Sequence, residues 1–456
     1  VHLFPVDEVL SAEMAFSSPE ARADRVSALN FLMTANAGIV VVPVAGLRKY
    51  LPTKETWQNA QLHWEIGTEV EPEILAQRLV LMGYERQSMV GKPGEFSIRG
   101  SIVDVYPLNA EYPVRVELFD VEIDSIRYFE ADTQRSLENL EEVTISPMTD
   151  LVFSKADMNH GMTRLQDALE KRLATAKDQT ETDFLEEYFG QLLSSWEQGI
   201  PTENAHYYTD FLYQQKTTLL DYLPENSLLF VDDYSRMMET EREIAREEAE
   251  WQTLKIEEMR VFSEQTFGVD FHDQLRKTAR NTTFFSLFQK GMGNLRFQEV
   301  HNFQYRSMQQ FFGQMPLLKA EVDRWQKQNQ TVVVFVPTKE RIQKVEELFQ
   351  DFDIPSVVSN WDQLLDGHVQ IVQGALQTGF ELPKNKLVAI TEKEIFHTTT
   401  KKRARRQTIS NAERLKSYSD LKTGDYVVHA NHGIGKYIGM ETLEVDGVHQ
   451  DYMTIL

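Results

Sequence analysis

A chain of 456 residues is too long for one hydrophobic core and implies several domains. Acidic residues outnumber basic ones, 70 to 47, and the formal charge of −23 sets the chain as a whole against non-specific nucleic-acid binding, though not against a local basic patch. The absence of cysteine excludes disulfides and thiolate metal sites, as expected of a cytoplasmic protein, and no apolar run approaches membrane-spanning length.

In chain order, "SPEARADRVSALNFLMTANA" predicts a helix over 18–36, capped by Ser18 and followed by Gly38. "IVVVPV" (39–44) reads as a strand covered on both faces, the pattern of a parallel sheet. "PEILAQRLVLMGYER" (72–86) reads as one amphipathic helix. "GEFSIRGSIVDVYP" (94–107) then alternates with a period of two around Gly100, which suggests one strand bulged at the glycine. On that reading Phe96, Ile98 and Ile102 share one face. Ser97, Arg99 and Ser101 share the other, with Val103 and Val105 following along it. "VRVELF" buries Val114, Val116 and Leu118 and turns Arg115 and Glu117 outward. Asp120–Val121 is the turn into "EIDSIRYFE".

Residues 150–310 read as mostly helical, with one clear strand, "SLLFVDDY". It feeds a long charged helix on which Glu241, Arg242, Glu243 and Arg246 form a solvated, paired face. Residues 312–396 alternate helix and strand in a second α/β unit. The basic run Lys401, Lys402, Arg403, Arg405 and Arg406 falls in a stretch without periodicity, a flexible connector with no interleaved aromatics. A glycine-rich β region follows. The chain opens at Val1 without a signal pattern and stops within a strand-like stretch, so it reads as part of a longer protein.

No G-x-x-x-x-G-K-[ST] phosphate loop occurs: Gly91–Lys92 precedes Pro93 and Gly435–Lys436 precedes Tyr437. "LLFVDDYSR" nonetheless ends an apolar strand in Asp232 and Asp233, either as a Walker-B-like acid pair or as a turn that caps the next helix. His429, His432 and His449 lack the carboxylate or cysteine company of a metal site, and no metal ligands are assigned. No catalytic set can be assembled. Arg86 and Arg99 flank a loop, and small neighbours would leave the Arg99 guanidinium open to bidentate carboxylate capture. An ordinary solvated arginine fits the same pattern.

"GEFSIRGSIVDVYP", "VRVELFDVEIDSIRYFEADTQRSLE" and "HLFPVDEVLSAEMAFSSPEARADRVSALNFL" together resemble the bacterial transcription-repair coupling factor family. "DYVVHANHGIGKYIGMETLEVDG" resembles that family's polymerase-binding module, and the resemblance runs the length of the chain. It implies a multidomain α/β and α+β fold. A degenerate helicase-like module, similar to the excinuclease component UvrB, would occupy 1–64 and 148–311. An inserted α+β domain over 65–147 would recruit the excinuclease component UvrA through Arg99 and Arg86, with Val103 and Val105 as apolar contacts. A small α/β domain without an assigned role (312–397), a basic linker (398–418) and the start of a β-barrel-like domain (419–456) would complete the chain. The last would grip the β subunit of RNA polymerase through strand addition, with Leu443 in contact.

Asp232 and Asp233 would then be relics of a motor site. ATP, Mg and DNA would belong to motor domains outside these residues, and the segment itself would take no cofactor and meet no membrane. Two alternatives stand beside recruitment: a self-contained NTPase or helicase, and a DNA-binding repair protein.

Overall fold

The computed structural model describes residues 1–6, 18–34, 37–200, 202, 204–287, 295–396, 426–429, 433–445 and 448–455. It divides into two units, Val1–Leu295 and Arg296–Leu456.

The first unit opens with β1 (His2–Leu3), the helix Pro19–Thr34 and β2 (Val40–Val41), which pairs parallel with β1. Ser18 caps the helix as expected, accepting from the Ala21 N–H at 3.0 Å. The predicted 39–44 strand is shorter than its apolar run. Only Val40 and Val41 pair as a strand, and a helix starts at Val44 after Pro43. It is also not covered on both faces, since Ile39 and Val41 are exposed.

The inserted domain begins at β3 (Leu62–Glu65). The helix Pro72–Leu81 stops early, because Gly83 turns the chain with φ +93° into β4 (Glu85–Arg86). The single 72–86 helix of the sequence reading is therefore a helix and a strand. There follow β5 (Glu95–Arg99), β6 (Ile102–Val105), β7 (Val114–Phe119), β8 (Glu122–Phe129) and β9 (Ser136–Leu140). With β4 they form one six-stranded sheet in the order β4-β5-β6-β7-β8-β9. The turn at Asp120–Val121 forms where expected, with Asp120 at φ +59°. β10 (Glu142–Ile145) then returns to pair antiparallel with β3.

Leu62 and Trp64 pack into the same core as Phe96, Val103, Val105, Val116 and Ile126. The domain's core thus starts ahead of residue 65.

Back in the host, two 19-residue helices, Lys155–Leu173 and Gln179–Glu197, build an aromatic-rich core with Phe189, Trp196, Tyr208 and Phe262. β11 (Leu229–Asp232) pairs parallel with β12 (Thr282–Phe285), a strand absent from the sequence reading. The long helix Tyr234–Glu257 follows β11. Its charge is not all solvated: Glu241 is buried and accepts from Arg48 at 3.3 Å and from the Phe271 N–H at 2.6 Å. Helical i,i+4 spacing does not reveal a partner from a distant segment.

In the second unit, the strands β13 (Arg306–Ser307), β14 (Thr331–Val336), β15 (Val357–Ser359), β16 (Val369–Gln373), β17 (Phe380–Leu382) and β18 (Leu387–Thr391) form a sheet in the order β13-β17-β18-β14-β16-β15. Helices Met315–Lys327 and Lys339–Asp351 cover the face of Val332, Val334 and Val336. Val333, Phe335, Val372 and Ala389 lie on the other face against Leu364, Leu376 and Phe380. Last come β19 (Tyr426–His429), β20 (Gly433–Val445) and β21 (Val448–Ile455) in one antiparallel sheet. The basic linker at 398–418 lies outside the described residues.

Candidate functional site

The stretch "EFSIRGSIVDV" is a hairpin, not one bulged strand. Arg99 pairs with Ile102 across the two-residue turn Gly100–Ser101, and Gly100 sits at φ +61°. A Cβ on Gly100 would meet nothing within 4 Å, so the backbone angle is what calls for glycine. Cross-strand partners share a face of the sheet. The register Phe96↔Val105 and Ile98↔Val103 therefore sets both valines beside Phe96 on the core side. This corrects the sequence reading: Val103 and Val105 are fully buried, on the face away from Arg99, and offer a partner no apolar surface. Ile102 changes sides as well and joins Arg99.

The outer face is an interlocked charge array. Asp104, itself fully buried, accepts from Arg115 Nε at 2.6 Å and a terminal Arg115 nitrogen at 2.8 Å. The same carboxylate accepts from one Arg99 terminal nitrogen at 2.6 Å. Arg115 also donates to Gln134 Oε1 at 2.8 Å and lies over the Phe129 ring, 4.3 Å from its centroid. One strand further, Arg127 pairs with Glu117 and donates to the Ser125 hydroxyl at 3.1 Å. The Arg127–Glu117 hydrogen bond draws the Glu117 carboxyl below its ordinary pKa and raises the Arg127 guanidinium's.

Exposure divides the arginines by task. Arg115 and Arg127 are 11% and 18% exposed, whereas Arg99 is 41% exposed and bound by a single contact among the described residues. Arg99 thus keeps part of its planar fork available, held in place from below. Arg86 stands exposed on the edge strand β4 opposite Phe96, with no side-chain hydrogen bond or ion pair among the described residues. It is three register positions from Arg99, about 10 Å along the strand direction, and so shares the sheet face of Phe96 and not that of Arg99. Asp104, Arg115, Glu117 and Arg127 were not singled out in the sequence. The outward alternation of Arg115 and Glu117 was the available signal, and only the hairpin register brings Asp104 beneath it.

Asp233 is the N-cap of the helix Tyr234–Glu257, in the left-handed region at φ +49°, accepting from the Arg236 N–H at 3.3 Å. The helix-cap reading accounts for it. Asp232 is exposed at the end of β11. Leu443 lies in β20 opposite Gln450. Residues 433–436 of β20 pair with β19, while 437–445 pair with β21 alone among the described residues. His432 lies outside the described residues. No helix among the described residues is long and apolar enough to cross a membrane.

Three family models match parts of the chain: the UvrB interaction domain over 62–151, the MFD D3 domain over 308–395, and the CarD-like/TRCF RID domain over 421–456. The first begins at the first residue of β3. Over its full length the chain is 42% identical to the transcription-repair-coupling factor of Bacillus subtilis (strain 168). It is 36% identical to that of Staphylococcus haemolyticus (strain JCSC1435) and 35% to that of Staphylococcus aureus (strain MRSA252), again with the whole chain aligned. The chain belongs to the transcription-repair-coupling factor family. It spans 39% of the length of each of these relatives. Within the family frame, the charge array lies inside the UvrB interaction match and β19–β21 inside the RID match.

Proposed function

We propose that this chain is a recruitment segment that links RNA polymerase stalled at DNA damage to nucleotide excision repair. The inserted sheet would present Arg99 to carboxylates of the excinuclease component UvrA, with Arg86 reaching the same partner from the sheet's edge. The edge of β20 at residues 437–445 that is unpaired among the described residues would add to a strand of the polymerase β subunit, with Leu443 at the contact. In this reading ATP, Mg2+ and translocation on duplex DNA belong to the part of the relatives that this chain does not span. A relic motor site at Asp232 belongs to the same reading.

The observation that carries it is the half-exposed arginine fixed on a buried carboxylate inside the matched interaction domain. Arginine forks held rigidly at interface centres are frequent hot spots. The test is calorimetric titration of the chain against purified UvrA, unchanged and as Arg99→Glu. The reversal is expected to weaken binding by roughly 2–5 kcal/mol. Equal binding by both chains would discard the Arg99 assignment, and no binding by either would discard the recruitment reading.

A further inference from the structure

We propose that His63, Glu65 and Glu142 form a binding site for one divalent transition-metal ion of the Zn2+ class. The site lies on the solvent face of the β3–β10 ladder. Each side chain offers one ligand atom, and these atoms lie within 4.8 Å of one another. His63 and Glu65 are two positions apart on β3 and so share a face. The antiparallel register brings Glu142 directly opposite Glu65, and Thr144 opposite His63. Beneath them Leu62, Trp64, Val143 and Ile145 point into the core, so the three ligands stand on a packed two-stranded platform.

Three further features favour a cation. His63 Nε2 and Glu142 Oε2 are 3.5 Å apart. A tetrahedral ion with bonds of about 2.0–2.1 Å needs donor atoms roughly 3.4 Å apart, so this edge is close to closed. On the other side of the ring, His63 Nδ1 lies 3.2 Å from the Thr144 hydroxyl. In metal sites a hydrogen-bonded partner on the nitrogen away from the ion fixes the ring and its tautomer. With the proton on Nδ1, the Nε2 lone pair faces a carboxylate oxygen, and a cation between them satisfies both.

Finally, Glu65 and Glu142 are like charges placed opposite each other, an arrangement that destabilises a ladder. Neither is paired with lysine or arginine among the described residues. One imidazole and two carboxylates suit a borderline ion better than Mg2+, which favours oxygen and retains its waters. Bound here, the ion would staple the first and last strands of the inserted domain.

The full 456-residue chain, stripped with chelator, is titrated with ZnCl2 by calorimetry and followed by thermal unfolding, with MgCl2 as the hard-cation control. The expected result is one equivalent of Zn2+, a raised melting temperature, and no response to Mg2+. His63→Gln and Glu65→Gln should each weaken that equivalent at least tenfold. Thr144→Val, which spares the ligands, should weaken it by about tenfold. In chelator, Glu65→Gln should melt higher than the unchanged chain, because it removes the carboxylate repulsion. The proposal is overturned if Zn2+ produces no such equivalent, or if its affinity is unchanged in His63→Gln, which would place the ion elsewhere, for instance at the histidines of 429–449.

Discussion

Arg25 and Asp150 meet in a fully buried ion pair, Nε to Oδ1 at 2.9 Å, across 125 positions of sequence. Arg25 lies within the helix Pro19–Thr34, and Asp150 follows the last strand of the inserted domain. Lys49 adds a second contact to the same carboxylate at 2.5 Å. Burial pushes the Asp150 pKa up, but Lys49 and Arg25 outweigh it and hold the carboxyl well below its ordinary range.

Removing the charge takes from buried Arg25 the countercharge of this carboxylate. Asp150→Asn should therefore destabilise the first unit by about 3–5 kcal/mol, read as a lower denaturant midpoint. The pH dependence has a definite sign. With a folded pKa below the unfolded value, the stabilisation is complete above an unfolded pKa of about 3.9 and is lost as pH falls through the folded one. Urea midpoints measured from pH 7 to 3 should fall in the acid limb, and Asp150→Asn should flatten that fall.

Substitution on the charge array should separate binding from folding. Arg99→Ala leaves Asp104 with its two-pronged Arg115 contact, so the melting loss should stay within about 1 kcal/mol. Arg115→Ala leaves Asp104 buried with one partner and uncovers Phe129, with an expected loss of about 3 kcal/mol. Parallel thermal melts of the two variants check the order.

Val103→Ala and Val105→Ala each remove two buried methyl groups, for an expected loss of about 2 kcal/mol. Binding of UvrA should then fall only in step with the unfolded fraction, measured by comparing affinity at 10 °C and near the melting point. A selective loss of binding at low temperature would instead require these valines to be exposed.

Gly100→Val forces a β-branched residue into left-handed backbone at the hairpin turn and should cost about 1–2 kcal/mol or more. Gly100→Asn, which tolerates that region, should recover most of it. Chemical denaturation of the pair isolates backbone angle from space, because a Cβ there meets no neighbour.

Much of the inserted domain was legible. The alternation in "VRVELF" buried Val114, Val116 and Leu118, and the turn at Asp120 fell in place. The hairpin at Gly100 was not, and the reason is parity. Along one strand, residues three apart lie on opposite faces; across a two-residue turn they are partners on the same face. A strand and a hairpin therefore assign Ile102, Val103 and Val105 to opposite sides from identical sequence. The Arg25–Asp150 pair, the burial of Glu241 and the β11–β12 pairing were invisible for a related reason, since each joins residues that local periodicity cannot connect. The long whole-length resemblance carried the family, which no single residue pattern did.

The pairing of β3 with β10 has a topological consequence for the host. Adjacent strands run about 4.8 Å apart, so an excursion of roughly eighty residues leaves and rejoins the α/β body through a gap no wider than a short loop would bridge. Ring closure for the host is thus set by the ladder, not by the length of what hangs beyond it. The six-stranded sheet can change its loops or surface residues while the polypeptide on either side retains the same end-to-end distance.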